Sequence, residues 1–324
     1  MLDLVKETDC NYTYFMNCLT EKVRIRMGEE FSVRIFKVTK NNSLELDSLV
    51  ILKKGRNFAP NIYLLPYYEA YIQGASIQAL AESLCETYKN HSVPLVKDDF
   101  LYTFDEMSPF IIYRLVSYDR NKKLLENIPH RKYLDMAVTY HCLVRDDTDG
   151  IGTIRISNEH IKKWETSLQE LHNLAIVNTK NIFPSIIKSM EEAIYGMFEE
   201  EYGSSKTDDG SSKLENKNLD KDLLHSRESK DRFMYILTNQ KGINGATCLL
   251  YENVLKEFSN QIDSDFFILP SSIHEVIIVP YDKTISKEAL SDMVREVNLT
   301  QVARDEVLSN RVYFYSRKSN TISM

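Results

Sequence analysis

The sequence lacks the cysteine pairs, the excess of positive charge and the long apolar runs that mark several large classes of protein. Its 324 residues include five cysteines, an odd number, and none of them forms a C-x-x-C pair. This usage is typical of reduced thiols in a cytosol, and it argues against a disulfide framework or a zinc site. We therefore expect a cytoplasmic protein without a metal site.

The charge balance and the hydropathy exclude two further classes. The formal net charge is -7, whereas a nucleic-acid binder needs a basic face to neutralise phosphates. No apolar run approaches the roughly 20 residues of a membrane span. Residues 1–9 carry acidic side chains and no apolar signal core. We expect no nucleic-acid partner, no membrane segment and no cofactor.

The chain does contain enough apolar material for a sizeable core. Apolar residues make up 43% and charged residues 27% of it, an ordinary balance for two or three domains or one large one. Residues 231–315 show the clearest pattern of elements in the chain, because apolar strand-like runs alternate there with glycine turns. We read them as strand, turn, strand, helix, strand, turn and strand, with residues 246–250 as the second strand.

Helical and strand periods elsewhere predict further elements. Apolar residues recur at spacings of three and four over residues 12–27 and 77–88, which favours an amphipathic helix over each. Ser76 and Ser167 have the chemistry and position of helix N-caps. Further helices are predicted at residues 109–116, from 158, from 167 and over 187–197. Strands are predicted at residues 31–35, 44–52, 61–65, up to 144, and 152–157.

These elements predict an α+β fold with mostly antiparallel sheets built from repeated hairpin-plus-helix units. Residues 152–164 and 246–258 align without gaps, with Trp164 matching Phe258, and residues 61–71 form a looser third copy. The competing interpretation is that any junction between strand and helix shows a similar pattern. Whether the units are true duplications stays open at this point.

The predicted domain organisation has four parts. An N-terminal α+β region covers residues 1–120, a central region 121–198, and a C-terminal α+β region 231–324. Between the last two, residues 199–230 contain the string Gly-Ser-Ser-Lys twice, many charges and almost no large apolar residues. Such a segment cannot bury enough surface to order itself, so we predict a mobile charged linker there.

His274 is the most conspicuous candidate for chemistry. It precedes Glu275, but the H-E-x-x-H pattern of zinc peptidases lacks its second histidine here, and the segment reads as a strand. Neighbouring side chains of a strand point to opposite faces, so a shared ion is disfavoured. A general base and a hydrogen-bonded histidine at a strand end are the two interpretations. Ser271 and Ser272 lack the G-x-S-x-G elbow and read as turn serines.

Other polar residues permit a catalytic or a structural role. His130 and Asp135 lie close together in sequence, and a structural ion pair of Arg131 with Asp135 is favoured over catalysis. Asn298 is a further candidate if the fold brings it near His274. Asn178, near a predicted helix end, is a candidate binding residue that could also cap or turn the chain there.

A cluster of tyrosines is the candidate binding surface. Tyr63, Tyr67, Tyr68 and Tyr71 lie within nine positions, and tyrosine is favoured at protein contacts. Packing of a short helix on a core is an equally good explanation. If the cluster binds a ligand, the partner is expected to be another protein.

Five strings carry a resemblance to a known family: residues 121–138, 178–184, 269–280, 294–303 and 306–313. On these residues the chain resembles the bacterial family catalogued as domain of unknown function 5688, over nearly its whole length. The resemblance implies a cytosolic protein of gut-dwelling Gram-positive bacteria, in which mobile elements are frequent. It implies no known reaction, ligand or catalytic residue. Tyr251-Glu-Asn departs from the proline-glycine entry usual in relatives, and residues 199–230 are a variable insert.

Three hypotheses about function follow. The first is a non-enzymatic binding or interaction module. The second is a hydrolase-type enzyme with His274 as general base and His130, Asp135 or Asn298 nearby. The third, suggested only by the genomic habit of the family, is a mobile-element-associated regulator or anti-defence factor.

Overall fold

The computed structural model describes residues 2–56, 59–90, 103–147, 150–203 and 234–324. The described helices are α1 Leu2–Met27, α2 Leu65–Ile72, α3 Ile77–Asn90, α4 Phe104–Met107, α5 Lys122–Leu125, α6 Asn158–Trp164, α7 Leu168–Ile182, α8 Met190–Gly203, α9 Val254–Ile262 and α10 Lys287–Thr300. The strands are β1 Phe31–Thr39, β2 Glu45–Lys53, β3 Asn61–Tyr63, β4 Ile111–Ser117, β5 His130–Tyr133, β6 Met136–Asp147, β7 Gly150–Arg155, β8 Ser185–Ser189, β9 Tyr235–Asn239, β10 Phe266–Leu269, β11 Val276–Pro280, β12 Tyr313–Ser316 and β13 Thr321–Ser323.

Two compact units divide the chain. The smaller consists of residues Met1–Phe110 and His141–Ile156, and the larger of Ile111–Tyr140 and Ser157–Met324. Each unit therefore takes two separate stretches of sequence. The organisation into regions ending at residues 120, 198 and 230 stays a prediction.

The smaller unit packs helices on the antiparallel sheet β1-β2-β3. The predicted stripe of α1 is buried, since Phe15, Leu19 and Val23 are fully inaccessible. These residues meet Leu84 of α3 and Ile51 of β2 in one apolar core. The predicted helices of residues 12–27 and 77–88 are confirmed, with α1 beginning earlier, at Leu2. Ser76 accepts a hydrogen bond from the Ala79 amide, as an N-cap does.

The larger unit contains a six-stranded antiparallel sheet in the order β13-β12-β10-β11-β9-β8. Its core includes Phe267 and Leu269 of β10 against Leu290 and Val294 of α10. A third sheet has the order β4-β6-β5, with β7 paired to β6. Strand β6 belongs to both units, because the boundary falls after Tyr140. The predicted α+β class with antiparallel sheets is confirmed.

Two predicted helices are wrong over part of their length. Residues 111–117 form strand β4, of which six of the seven residues are buried. Burial on both faces removes the period of two that identifies a strand, so the apolar run could not be told from a helix. Residues 185–189 form strand β8, and the helix predicted from 187 begins only at Met190.

The strand predicted at residues 246–250 is also wrong, because Gly245–Leu250 is a 3-10 helix. The segments 152–164 and 246–258 therefore share the helix that follows, α6 or α9, but not the element before it. Ser157 caps α6 with its side chain, whereas Asn253, the N-cap residue of α9, makes no capping hydrogen bond with its side chain. Helix α8 extends to Gly203, and the remainder of the predicted linker lies outside the described residues.

Candidate functional site

The predicted tyrosine cluster lies in the smaller unit and anchors helix α2 on its neighbours. The ring of Tyr68 lies 4.7 Å from that of Tyr12 and 5.3 Å from that of Phe15, and Tyr71 lies 5.1 Å from Phe15. Tyr12 and Phe15 belong to α1. Burial, together with Asp47, raises the pKa of Tyr12 to about 12. The rings of Tyr68 and Tyr71 thus pack against the core on one side of α2.

The flanking tyrosines make weaker polar contacts. The Tyr67 hydroxyl donates to Thr87 Oγ1 of α3 at 3.4 Å. The Lys40 ammonium lies 4.6 Å from the centre of the Tyr63 ring, a cation–π contact. Tyr63 and Tyr67 are both half-buried, so part of each ring still faces water.

The opposite side of α2 is exposed although it is apolar. The helix has eight residues, and Glu69 is the only charged one. None of the eight is buried, and Leu65 and Ile72 are 44% and 66% exposed. Tyr14 of α1 is exposed beside Tyr71. We call Tyr14, Leu65, Glu69 and Ile72 the α2 surface. A helix this apolar is ordinarily covered on most sides, so the α2 surface is a candidate contact site.

His274 lies in the larger unit, in the connection between β10 and β11. This connection, residues 270–275, is called the His274 loop. The backbone amide of Asn244 donates to Nδ1 of His274 at 3.3 Å. An acceptor Nδ1 places the ring proton on Nε2, which lies 3.3 Å from Glu306 Oε1. Both ring nitrogens are therefore engaged: Nδ1 accepts from the Asn244 amide, and Nε2 faces the Glu306 carboxylate.

The His274 loop is fixed by the backbone on both sides. Ile273 N–H donates to Glu306 C=O at 2.9 Å, and Ala246 N–H donates to Ile273 C=O at 3.2 Å. Thr238 Oγ1 donates to the carbonyl of His274 at 2.8 Å. The loop is thus held between the turn after β9 and the segment that follows α10.

Glu275 is the titratable group with the most unusual setting in this loop. Burial raises the pKa of its carboxyl, and the neighbouring Glu306 acts in the same direction. His274 and the hydroxyl of Ser272 act against this shift. Ser272 is itself buried and accepts from the His274 amide at 3.0 Å. A carboxyl with a raised pKa between a histidine and a second carboxylate is a recognised sign of functional sites, although structural networks show it as well.

Asp135 holds a second polar network in the larger unit. Its two oxygens accept from the hydroxyls of Tyr313 and Ser309, the latter at 2.8 Å. The Arg311 guanidinium lies 3.7 Å away. Burial and the contact with Asp135 raise the pKa of the Tyr313 hydroxyl, which therefore stays a donor. The predicted pairing of Asp135 with Arg131 is replaced by this network, since Arg131 donates to Gln169 instead.

The segment Glu306 to Arg311 brings three of the four catalytic candidates to neighbouring positions. Glu306 meets His274, Ser309 meets Asp135, and the carbonyl of Ser309 accepts from Asn298 Nδ2 at 2.9 Å. Asn298 Oδ1 is buried without a hydrogen-bond partner in the described part of the chain.

The other candidates lie apart from this segment and contact the backbone. Nδ1 of His130 donates to the carbonyl of Ile128 at 3.1 Å. Asn178 Nδ2 donates to the carbonyl of Ile111 at 3.0 Å, which ties α7 to the start of β4. In both cases the side chain satisfies a backbone carbonyl at or just before the start of a strand.

Sequence reasoning missed Glu306, Ser309 and Tyr313, which complete these networks. Their partners lie 32, 174 and 178 positions away in sequence. No local pattern could connect residues so far apart. The one signal in the sequence is the string of residues 306–313, which carries part of the family resemblance but no pattern typical of a site.

Within the described residues, no group of three or more histidine, cysteine or acidic side chains could hold a metal ion. None of the described helices is both long and apolar enough to cross a membrane. The fold and contacts define an α+β protein of antiparallel sheets with two fixed polar networks and an exposed apolar helix. The chain belongs to a family of unknown function, DUF5688, which matches residues 12–317. No curated protein and no solved structure matched the chain in the comparisons made.

Proposed function

We propose that the protein is a cytoplasmic bacterial interaction module that binds another protein through the α2 surface. The observation that carries the proposal is a helix with one charge among eight residues and no buried side chain. Tyrosine, leucine and isoleucine side chains on a rigid base supply contact area at a low cost in conformational entropy.

The base beneath the α2 surface supports this role. The rings of Tyr68 and Tyr71 on α2 contact the rings of Tyr12 and Phe15 on α1, with centroids 4.7 to 5.3 Å apart. The helix is therefore held in place before any partner arrives, so binding would need little ordering of the protein.

The chemistry of the surface indicates the kind of partner. Leu65 and Ile72 lie seven positions apart, so both project from one face of α2, with Glu69 between them. A matching surface would present apolar side chains around one lysine or arginine, which would pair with Glu69. The net charge of -7 supports a protein partner over a nucleic acid.

The hydrolase hypothesis receives less support from the geometry. A general base needs a free lone pair within reach of a substrate proton, and both nitrogens of His274 are engaged. The raised pKa of Glu275 is the one feature in favour of acid–base chemistry. A regulatory or anti-defence role on a mobile element stays a prediction that rests on the family resemblance.

The test uses a photo-reactive amino acid at position 72 or, as a matched control, at position 25. Ile25 is also on the smaller unit and is 72% exposed, against 66% for Ile72. It lies ten residues beyond Phe15 along α1, about 15 Å at 1.5 Å per residue. We expect position 72, and not position 25, to crosslink one defined protein in cells of the native host.

Two variants then measure the contact with the crosslinked protein in purified form. Ile72→Asp should weaken binding at least about tenfold, because a buried carboxylate would face an apolar partner surface. Ile25→Asp should leave it unchanged. Equal crosslinking from both positions, or equal binding by both variants, would rule out the α2 surface as the contact site.

A further inference from the structure

Strand β1 is long and lies at an edge of its sheet in the described part of the smaller unit. The sheet order is β1-β2-β3, so β2 is the only described strand paired with β1. All nine residues of β1 pair with β2, from Phe31 opposite Lys53 to Thr39 opposite Glu45, without a bulge. Natural edges are usually short, bulged or covered, because a regular edge offers unpaired backbone groups to other chains.

Hydrogen bonds at both ends of the hairpin show which residues of β1 face outward. Lys54 N–H donates to Glu30 C=O at 2.8 Å, and Lys40 N–H donates to Leu44 C=O at 2.7 Å. Such bonds recur at every second residue of an antiparallel pair. The even-numbered residues of β1 therefore bond to β2. The backbone groups of Phe31, Val33, Ile35, Lys37 and Thr39 point away from it.

Two contacts at the start of β1 agree with this assignment. Phe31 N–H donates outside the sheet, to Gly28 C=O at 3.2 Å. Val33 C=O accepts from the Arg24 guanidinium at 3.5 Å, a long contact that another donor can replace. Both residues are odd-numbered. The outward backbone groups of Ile35 and Lys37 lie at the middle of the edge.

The two faces of β1 differ in composition. Val33 is buried, and Phe31 and Ile35 pack against the core. Arg34 and Phe36 project on the opposite face and are exposed, Phe36 to 49%. The edge therefore has an apolar aromatic side chain on its open face, next to a cation.

We propose that two copies of this chain associate through β1, antiparallel and centred on Ile35. The two Ile35 residues would then exchange both backbone hydrogen bonds, and Val33 would pair with Lys37 of the second copy. On the exposed face of the sheet, each Arg34 would lie opposite Phe36 of the second copy. This allows two cation–π contacts, one on each side of the two-fold axis. The two three-stranded sheets would become one sheet of six strands.

Self-complementarity is the reason to assign a second copy as the occupant. The centre at Ile35 places each of the nine residues opposite a residue of the second strand, and it places no two cations opposite each other. A shift of the centre by one residue, to Arg34, would set Arg34 against Arg34, which is repulsive. A shift in the other direction would set Phe36 against Phe36, but it would leave two residues of each strand unpaired.

The first test compares Lys37→Pro with Lys37→Ala in the full chain. Proline removes an outward N–H that β2 does not use, and edge strands tolerate proline at such positions. Both variants remove the exposed contact of Lys37 with Glu45, so they differ chiefly in the backbone donor. Light scattering after size exclusion should give the wild type and Lys37→Ala a mass twice 37.7 kDa.

We expect Lys37→Pro to raise the dimer dissociation constant at least about tenfold. Each copy would lose the hydrogen bond from its residue 37 N–H to Val33 of the other copy, so two bonds are lost per dimer. Thermal unfolding checks that the variant is folded. A wild-type chain that stays monomeric at all concentrations tested overturns the proposal. So does a dimer that Lys37→Pro does not weaken.

The second test fixes the register by disulfide trapping. A mixture of Arg34→Cys and Phe36→Cys chains should form a crosslinked pair, because positions 34 and 36 would face each other. Arg34→Cys alone and the wild type, which reports on the native thiols, should not crosslink. A crosslink formed by Phe36→Cys alone in equal yield, or by the wild type, overturns the centre at Ile35. This inference is independent of binding at the α2 surface.

Discussion

The His274 loop of the larger unit and the α2 surface of the smaller unit differ in what their side chains contact. The polar groups of the loop are used by the protein itself: His274 contacts a backbone amide and Glu306, and Ser272 contacts the His274 amide. On α2, the exposed Leu65 and Ile72 project into solvent. The polar groups of the loop are thus paired within the chain, whereas the apolar side chains of α2 are left exposed.

This contrast can be tested first at Gly245, where the expected effect is largest. A Cβ at this position would lie 2.4 Å from the carbonyl oxygen of His274 and 2.8 Å from the amide nitrogen of Asn239. Neither backbone atom can turn aside. Gly245→Ala should lower the free energy of unfolding by about 3 kcal/mol, measured by urea denaturation.

Gly196→Ala is the matched control. A Cβ at Gly196 in α8 meets nothing within 4 Å, and alanine is the better helix former. This variant should be neutral or slightly more stable than the wild type. Equal stability of Gly245→Ala and the wild type would show that the turn after β9 does not fix the His274 loop.

The next largest effect is expected at Asp135. In Asp135→Asn an amide nitrogen replaces one of the two oxygens that accept from Tyr313 and Ser309. One donor then faces another, which should cost about 2 kcal/mol of unfolding free energy. Asp119→Asn is the control, because Asp119 and its partner Lys122 are exposed, and we expect a much smaller change from it. A similar loss from both substitutions would contradict a structural role for the Asp135 network.

A smaller, pH-dependent effect is expected at Glu275. Its pKa in the folded protein is raised above the ordinary value of 4.5, chiefly by burial. The folded state therefore binds this proton more tightly than the unfolded state, and stability falls as the pH rises from about 4.5 through the folded pKa. Glu275→Gln should be more stable than the wild type at pH 7, and the difference should shrink towards pH 4. Chemical denaturation at both pH values measures it, and a difference independent of pH would argue against burial as the cause.

The smallest effect is expected on the α2 surface. Ile72→Asp should change the unfolding free energy by less than about 0.5 kcal/mol, because the side chain is mostly in solvent. Tyr68→Ala on the packed side should cost about 2 kcal/mol, since its ring contacts Tyr12 and Phe15. If Ile72→Asp destabilised the protein as much as Tyr68→Ala, the α2 surface would be part of the core and not a free contact site.

The sequence was sufficient to predict elements with one buried face. Helices α1 and α3 show apolar stripes, and Ser76 and Ser167 cap α3 and α7 as expected. It failed where burial removes the periodicity, at β4, and where a close contact sets the conformation, at Gly245–Leu250. There the approach of Gly245 to Thr238 and His274 is a tertiary contact that no local propensity encodes.

The candidate site was predictable only in part for the same reason. Asp135, Asn298 and His274 were recognisable as polar residues near predicted element ends. The position of their common neighbour, the segment Glu306 to Arg311, depends on how distant parts of the chain fold together. The tyrosines of α2 were found from composition, but which side of the helix stays open depends on how it packs on α1.

Strand β6 carries a consequence for how the chain is made and dissected. Its twelve residues begin in one unit and end in the other. During synthesis the smaller unit cannot be completed until residue 156 has left the ribosome, after the first stretch of the larger unit has already emerged. Truncation at a single point therefore cannot give the smaller unit intact. A fragment ending at residue 110 would lack all of β6 and β7 and should be prone to aggregation.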